Sequence, residues 1–372
     1  MHILFSLWNS IQQYLIPRIK ENIGSLSEKE TLFVRVAELA AIDKHLGPYR
    51  WAGNGRKPCS RKALALAFIA KAVWGLQTTR TLIEFLKANR NLRQLCGWEG
   101  IGNIPSESTF SRAFDEFSIG NLPSLIHEAM IRGKLKDKLI CHISKDSTAI
   151  ETREKPVKKQ KEKQPRHKRG KPRKGEIRPE KQKKRLDLQA GRSLKENLSD
   201  LPNHCDIGVK KSSKGGKVIW AGYKLHLGVS DGDIPISAIL SSASVHDSQA
   251  AIPLMQMSSE RVTHLYDLAD CAYDAKQIKA YSHSSGRVPI IASNKRSGES
   301  VPMEPAKAVR FRERSSAERV NSNLKDNYGG RFVRVRGAAK VMAHLMFGII
   351  ALTAKQLFNM LGTLATPHPQ LE

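Results

Sequence analysis

The chain has 372 residues, 40% of them apolar and 26% charged. That composition excludes a mostly disordered chain and allows one large domain or two to three ordinary ones. Its 62 Lys and Arg against 35 Asp and Glu leave a net charge of +27, which points to a polyanionic partner, nucleic acid foremost.

Residues 1–58 read as a helical arm. Trp8, Ile11, Leu15 and Ile19 recur at helical spacing. Met1–Ile16 has no leading charge and no small-residue cleavage site, so it reads as an amphipathic helix rather than a secretion signal. Residues 59–135 read as an all-helical DNA-binding domain. Ser60 caps a helix carrying Leu64, Phe68, Ile69 and Val73, and Leu82, Phe85 and Leu86 mark a second. Ser106 caps a third, with Phe110, Ala113 and Phe114 on one side and Ser108, Thr109 and Arg112 on the other. Short polar side chains and Arg112 near a helix start suit DNA contacts. The solvated face of a packing helix has the same pattern, so both readings stay open.

From residue 136 the period becomes strand-like. Strands are expected at 139–150, 219–229, 234–243 (after the turn Asp231-Gly232-Asp233), 264–269 and 287–292. Helices are expected at 250–257, 274–282, 307–327 and 338–361. This order describes an α/β fold, a mixed sheet with helices on its faces, and it is the order of the ribonuclease-H-like topology. The catalytic domain is expected over 136–362, with a short tail at 363–372. His344, Lys355, Gln356 and Asn359 interrupt the apolar run 341–361, which therefore reads as a buried helix and not a membrane span. The five cysteines are scattered without a CxxC pair. That speaks against a zinc knuckle or a disulfide scaffold and fits a reducing, cytoplasmic setting.

One segment breaks the pattern. Arg153–Arg185 holds 17 Lys and Arg against four Glu, nearly half of the excess charge, with four prolines and almost nothing apolar. It reads as the heart of a flexible basic insertion, 153–205, able to lie along phosphates. Lys210, Lys211, Lys214 and Lys217 around Gly215-Gly216 read as a basic hairpin for DNA backbone, or equally as a solvated turn.

Three carboxylates stand out. Asp146 lies near the end of the first strand, Asp270 ends the strand 264–269, and Glu318 lies in the long helix. If the two strands are parallel neighbours, Asp146 and Asp270 meet at one edge, where a cation must offset their repulsion. An all-oxygen set suits Mg²⁺ or Mn²⁺, and two such ions are a known device for phosphodiester chemistry. Projected as one helix, Phe311, Arg314, Glu318 and Lys325 share a narrow stripe beside a core stripe of Ala317, Val320, Leu324 and Tyr328. An ordinary Arg314–Glu318 surface pair would look the same. Asp247 and Asp274 read first as helix N-caps. Asp274 is the substitute should Asp270 not serve.

These residues resemble the DDE transposases of bacterial insertion sequences. Lys145-Asp146-Ser147-Thr148 is similar to the first-Asp motif. Asp270-Cys271-Ala272-Tyr273-Asp274 is similar to the second. Phe311, Arg314, Glu318 and Lys325 have the spacing of the Tyr–Arg–Glu–Lys signature, and residues 59–132 resemble the family's helical N-terminal domain. The resemblance implies a ribonuclease-H-like core, a metal-binding catalytic triad of Asp146, Asp270 and Glu318, and phosphate contacts from Arg314 and Lys325. It also implies cleavage at element ends with strand transfer into target double-stranded DNA, and a homodimer in the synaptic complex. Phe311 in place of Tyr loses a phenolic hydrogen bond, and Cys271-Ala272 in place of Lys-Gly loses a charge. A transposase-derived DNA-binding protein without catalysis is the alternative.

Overall fold

The computed structural model describes residues 10–47, 53–55, 58–157, 184–211, 215–294 and 302–365, the side chains of 211 and 361–365 excepted. Trp8, Lys214 and most of the basic insertion lie outside these residues. The N-terminal part is helical: a π-turn at Ile11–Leu15, then α1 (Ile16–Ile23), α2 (Glu28–Ala40), α3 (Arg61–Val73), α4 (Thr79–Ala88), α5 (Arg90–Leu95), α6 (Glu107–Ile119) and α7 (Leu122–Leu135). Ser60 caps α3 by accepting from the Ala63 N–H at 3.2 Å, and Leu64, Phe68, Ile69 and Val73 are buried as expected. Ser106 occupies the cap position of α6. Its hydroxyl bonds those of Ser108 and Thr109 instead of a backbone N–H.

Among the described residues, the rest is built on six strands: β1 (Leu139–Glu151), β2 (Asp206–Lys211), β3 (Lys217–Ser230), β4 (Ile234–Ser242), β5 (Thr263–Ala269) and β6 (Val288–Ile291). They form one mixed sheet in the order β2-β3-β1-β5-β6, with β4 also on β3. β1 runs antiparallel to β3 and parallel to β5. The helices of this part are α8 (Arg185–Gln189), α9 (Leu194–Asp200), α10 (Ser248–Ser259), α11 (Lys276–Ser284), α12 (Pro305–Phe311), α13 (Ser315–Asn327) and α14 (Ala338–Ala365). This is the ribonuclease-H-like mixed sheet flanked by helices, preceded by a helical region.

Three expectations change. First, the stretch 153–205 is not flexible throughout: α8 and α9 fold at its C-terminal end. The Asn197 and Gln189 side chains bond Gln256 and the Gln249 carbonyl of α10, which supplies the partners that the charged sequence alone lacks. Second, the helix expected at 307–327 is broken by a tighter turn at Arg312–Arg314, held by the Ser144 hydroxyl donating to the Glu313 carbonyl at 3.1 Å. Third, among the described residues the core is not divided at 58/59 or 135/136. One cluster of buried side chains runs from Ile11 to Phe358, with α14 packed on α2, α3, α6, α7 and β4. By length and composition α14 could cross a membrane, but 83% of its most apolar window is buried in this core.

Candidate active site

The site begins with a register. Lys145 of β1 pairs with Ala269 of β5 in parallel, so Asp146 and Asp270, each one residue on, stand side by side where β5 ends. Asp270 caps the following turn, its carboxylate accepting from the Ala272 N–H at 2.9 Å. Asp146 accepts from the Asn321 amide of α13 at 3.0 Å. Burial lifts the Asp146 carboxyl to about 6, with Asp270 adding to the shift and the Ser147 N–H, Asn321 and Lys210 opposing it. Burial raises Asp270 as well. Asp247 adds to that, while the Ala272 N–H, Arg314 and Lys210 oppose.

Glu318 is reached differently. The core stripe of α13 is as expected: Ala317, Val320, Leu324 and Tyr328 are all buried. Glu318 lies one turn before Asn321 and is exposed, bound to Arg314 at 2.8 Å. The Arg314 guanidinium also lies 5.6 Å from the Phe311 ring centre. Three signature residues therefore touch one another across the break between α12 and α13. Among the described residues, no three His, Cys, Asp or Glu side chains converge tightly enough to hold one ion. The structure brings Asp146 and Asp270 together and leaves Glu318 on the adjoining helix, turned to Arg314.

Cations surround the pair. Lys210 of β2 acts on both aspartates. Lys325 is half-buried, and burial, with Arg331 beside it, lowers its pKa. Lys211 and Lys217 face each other in the β2–β3 register, and Lys217 is exposed. Arg112 is exposed on α6, its side chain turned back to the Ser108 carbonyl at 3.4 Å.

Two carboxylates were misread from the sequence. Asp247 makes no side-chain cap for α10. It bonds Lys224 of β3 at 2.9 Å, and Lys224, with His226, holds it below the usual carboxylate range despite burial. Asp274 does not cap α11 either, because Ala275 takes that position. It ties Lys279 at 2.6 Å and the Asn294 N–H at 2.8 Å. Asp267, on the face of β5 away from Asp146, is the hub of a buried network with Lys145, His264, Ser282 and Arg287. No local signal marked it.

Two buried polar atoms near the aspartates have no partner among the described residues: the Asn321 Oδ1 and the Tyr273 hydroxyl. Burial, then the Asp247, Asp146 and Asp270 carboxylates, push the Tyr273 phenol well above its ordinary value. A carboxylate pair of raised pKa with an orphaned amide oxygen beside it is a donor set that fits a hard divalent cation.

Residues 137–354 match the family model described as a transposase DDE domain, and residues 21–116 match one described as a transposase domain (DUF772). Neither a curated protein nor a solved structure matches the chain.

Proposed function

The chain belongs to the transposase DDE domain family, whose model covers more than half of it, and we propose that Asp146, Asp270 and Glu318 form its catalytic centre. It is a DNA transposase. The finer reading is cleavage at the ends of an insertion sequence followed by strand transfer into target DNA.

The observation that supports this best is the register of β1 and β5, which sets Asp146 beside Asp270 while Asn321 ties Asp146 to the helix carrying Glu318. Asp146 and Asp270, joined by Glu318, would hold Mg²⁺ or Mn²⁺, two ions in all. Bound there, the cations would activate the attacking oxygen and stabilise the leaving one. In the first step a water oxygen bonds to phosphorus as the bond to the 3′-oxygen breaks, and that oxygen leaves as a hydroxyl. In the second step this hydroxyl attacks a target phosphodiester and expels the target's 3′-oxygen.

The chain's own residues position the DNA. Arg314, steadied on Phe311, and Lys325 provide charge for the non-bridging oxygens. Lys210, Lys211, Lys214, Lys217 and Arg112 add backbone contacts. Asn321 fixes the orientation of Asp146. Synapsis of two ends calls for a homodimer, working in the cytoplasm on nucleoid DNA.

The test is strand cleavage of DNA carrying the flanking element ends, with Mg²⁺ or Mn²⁺, by the wild type, Asp146→Asn, Asp270→Asn and Glu318→Gln. Cleavage by the wild type alone, with binding retained by all four, is the expected result. Cleavage by any of the three variants at the wild-type rate refutes the assignment. Binding without cleavage by all four returns the protein to a binding-only role.

A further inference from the structure

β3 is longer than its neighbours need. β1 accompanies it only as far as the pair Glu151–Gly222, and β4 only as far as Tyr223–Ser242. The Ala221 carbonyl still accepts from the Thr152 N–H at 3.1 Å, and from Trp220 back to Lys217 β3 pairs with β2 alone. A two-stranded ribbon thus runs on past the main sheet. Such a ribbon is marginal without a surface to lie on.

The ribbon has an unusual face. Ile207, Val209 and Ile219 are 51%, 58% and 64% exposed, and Val218, on the opposite face, is 52% exposed. Direct partners in a ladder share a face and residues alternate along it. The pairs Val209–Ile219 and Ile207–Ala221 therefore put Ile207, Val209 and Ile219 in one row, with Lys217 at its outer end. Counting along β3 from Leu227, which is opposite Asp146, residues 221, 219 and 217 fall on Asp146's face of the sheet. Between Asp146 and this row the same face is covered, with Leu225 and Tyr223 buried, and Lys210, on the ribbon's other row, is the residue whose charge reaches Asp146 and Asp270. The other face is pinned: Trp220 is buried against Gly208, where an added Cβ would collide with its ring, and its indole N–H donates to the Tyr223 carbonyl at 3.1 Å.

The charge indicates the occupant. A second copy of a chain of net charge +27 would meet like charge here, with Lys217 on the row and Lys210 behind it. A polyanion with apolar surface between its phosphates meets the opposite. The major groove of duplex DNA admits a two-stranded ribbon, and its thymine methyls and base edges accept apolar side chains. We propose that the β2–β3 ribbon lies in a groove of the duplex next to the scissile phosphate, with Ile207, Val209 and Ile219 against base edges and Lys217 on the backbone. This rests on the transposase reading above and adds a recognition element to it.

The test measures binding of the full chain to a fluorescent duplex carrying the flanking element ends, over a range of salt. Val209→Ser/Ile219→Ser is expected to weaken binding about tenfold or more, the cost of losing two buried apolar side chains, with the salt slope unchanged. Lys217→Ala is expected to flatten that slope by about 0.9. Val209→Thr/Ile219→Thr keeps β-branched residues and so guards the ribbon's fold. It should lose binding with an unchanged circular dichroism spectrum. Wild-type affinity in both double variants overturns the proposal and leaves the transposase reading intact. So does a change in sedimentation without a change in DNA affinity, which would assign the row to a second copy. A wild type that binds no DNA at low salt overturns both.

Discussion

Asp267→Ala is the most telling test of how the sheet edge is held. The carboxylate accepts from Lys145, from His264 at 3.0 Å, from Ser282 at 2.7 Å and from Arg287 at 3.0 Å. Lys145 and Arg287 are 2% and 6% exposed, so the substitution strands two buried cations. Removing one partner of a buried pair costs about 3–5 kcal/mol, a large share of the roughly 5–15 kcal/mol that holds a domain folded. Lys145, Arg287 and His264 keep Asp267 well below its ordinary pKa against the pull of burial. Its contribution is therefore complete above about pH 4, the unfolded value, and is lost only as pH falls further. Burial already lowers Lys145, with Asp267 opposing. In the variant that opposition is gone, so stability should rise with pH as the ammonium gives up its proton. Urea unfolding between pH 3 and pH 9 reads both effects. Lys145→Met/Asp267→Leu should recover only part of the loss, because it removes the desolvation cost of Lys145 but leaves Arg287 buried without its carboxylate. A single variant within about 1 kcal/mol of the wild type would refute the account.

Three histidines are buried as neutral rings: burial lowers His127 to about 3, His226 to about 4 and His344 to about 3. The unfolded chain takes up their protons below about pH 6.5, so between roughly pH 5.5 and 4.5 these three rings should lower stability by about 4 kcal/mol per unit, offset in part by Asp146, whose raised carboxyl takes up its proton first in the folded state, and His226→Gln should remove about a third of the rings' share in urea titrations. Gly348 lets α14 cross the end of α13: an added Cβ would stand 2.5 Å from the Tyr328 carbonyl oxygen and 2.9 Å from Leu324. Gly348→Ala should cost about 1–3 kcal/mol, seen as a lower Tm, and should reduce DNA cleavage by moving the helix that carries Glu318. Asn321→Leu frees Asp146 from its amide partner; titration with Mn²⁺ should then show weaker binding, with little change in Tm. Arg319→Ala breaks a surface pair with Asp233, 2.7 Å apart, and unfolding curves should move by no more than about 1 kcal/mol.

The elements legible in the sequence are those fixed by a repeat along one segment. The stripe Ala317, Val320, Leu324 and Tyr328 names the buried side of α13 without reference to anything else, and the alternation of Tyr223, Leu225, Leu227 and Val229 marks β3. The turn 231–233 announces itself by its residues, and Gly232 and Asp233 do take positive φ. What escaped depends on distant partners. Arg312, Glu313 and Arg314 are good helix formers, and nothing nearby signals that a strand serine 169 residues away holds the Glu313 carbonyl. β2 has only six residues with a glycine among them, and its pairing with β3 gives it form. The helices α8 and α9 look like solvated chain until α10 is placed beside them.

The site follows the same rule at finer scale. The neighbourhood of Asp146 and Asp270 could be deduced, because two parallel strands in register leave little choice for the residues that end them. Asp247 could not: the local rule assigns it to its own helix as a cap. Lys224, 23 residues before it and half-buried on β3, offers a stronger, charge-assisted bond. Glu318 shows the reverse case. Its local i,i+4 partner Arg314 holds it at 2.8 Å, and the surface pair is worth only a few tenths of a kcal/mol. So weak a bond is easily exchanged once a phosphate competes for the arginine and a cation for the carboxylate. On the proposed reading, local physics governs Glu318 at rest, and the ligands the sequence implies govern it at work.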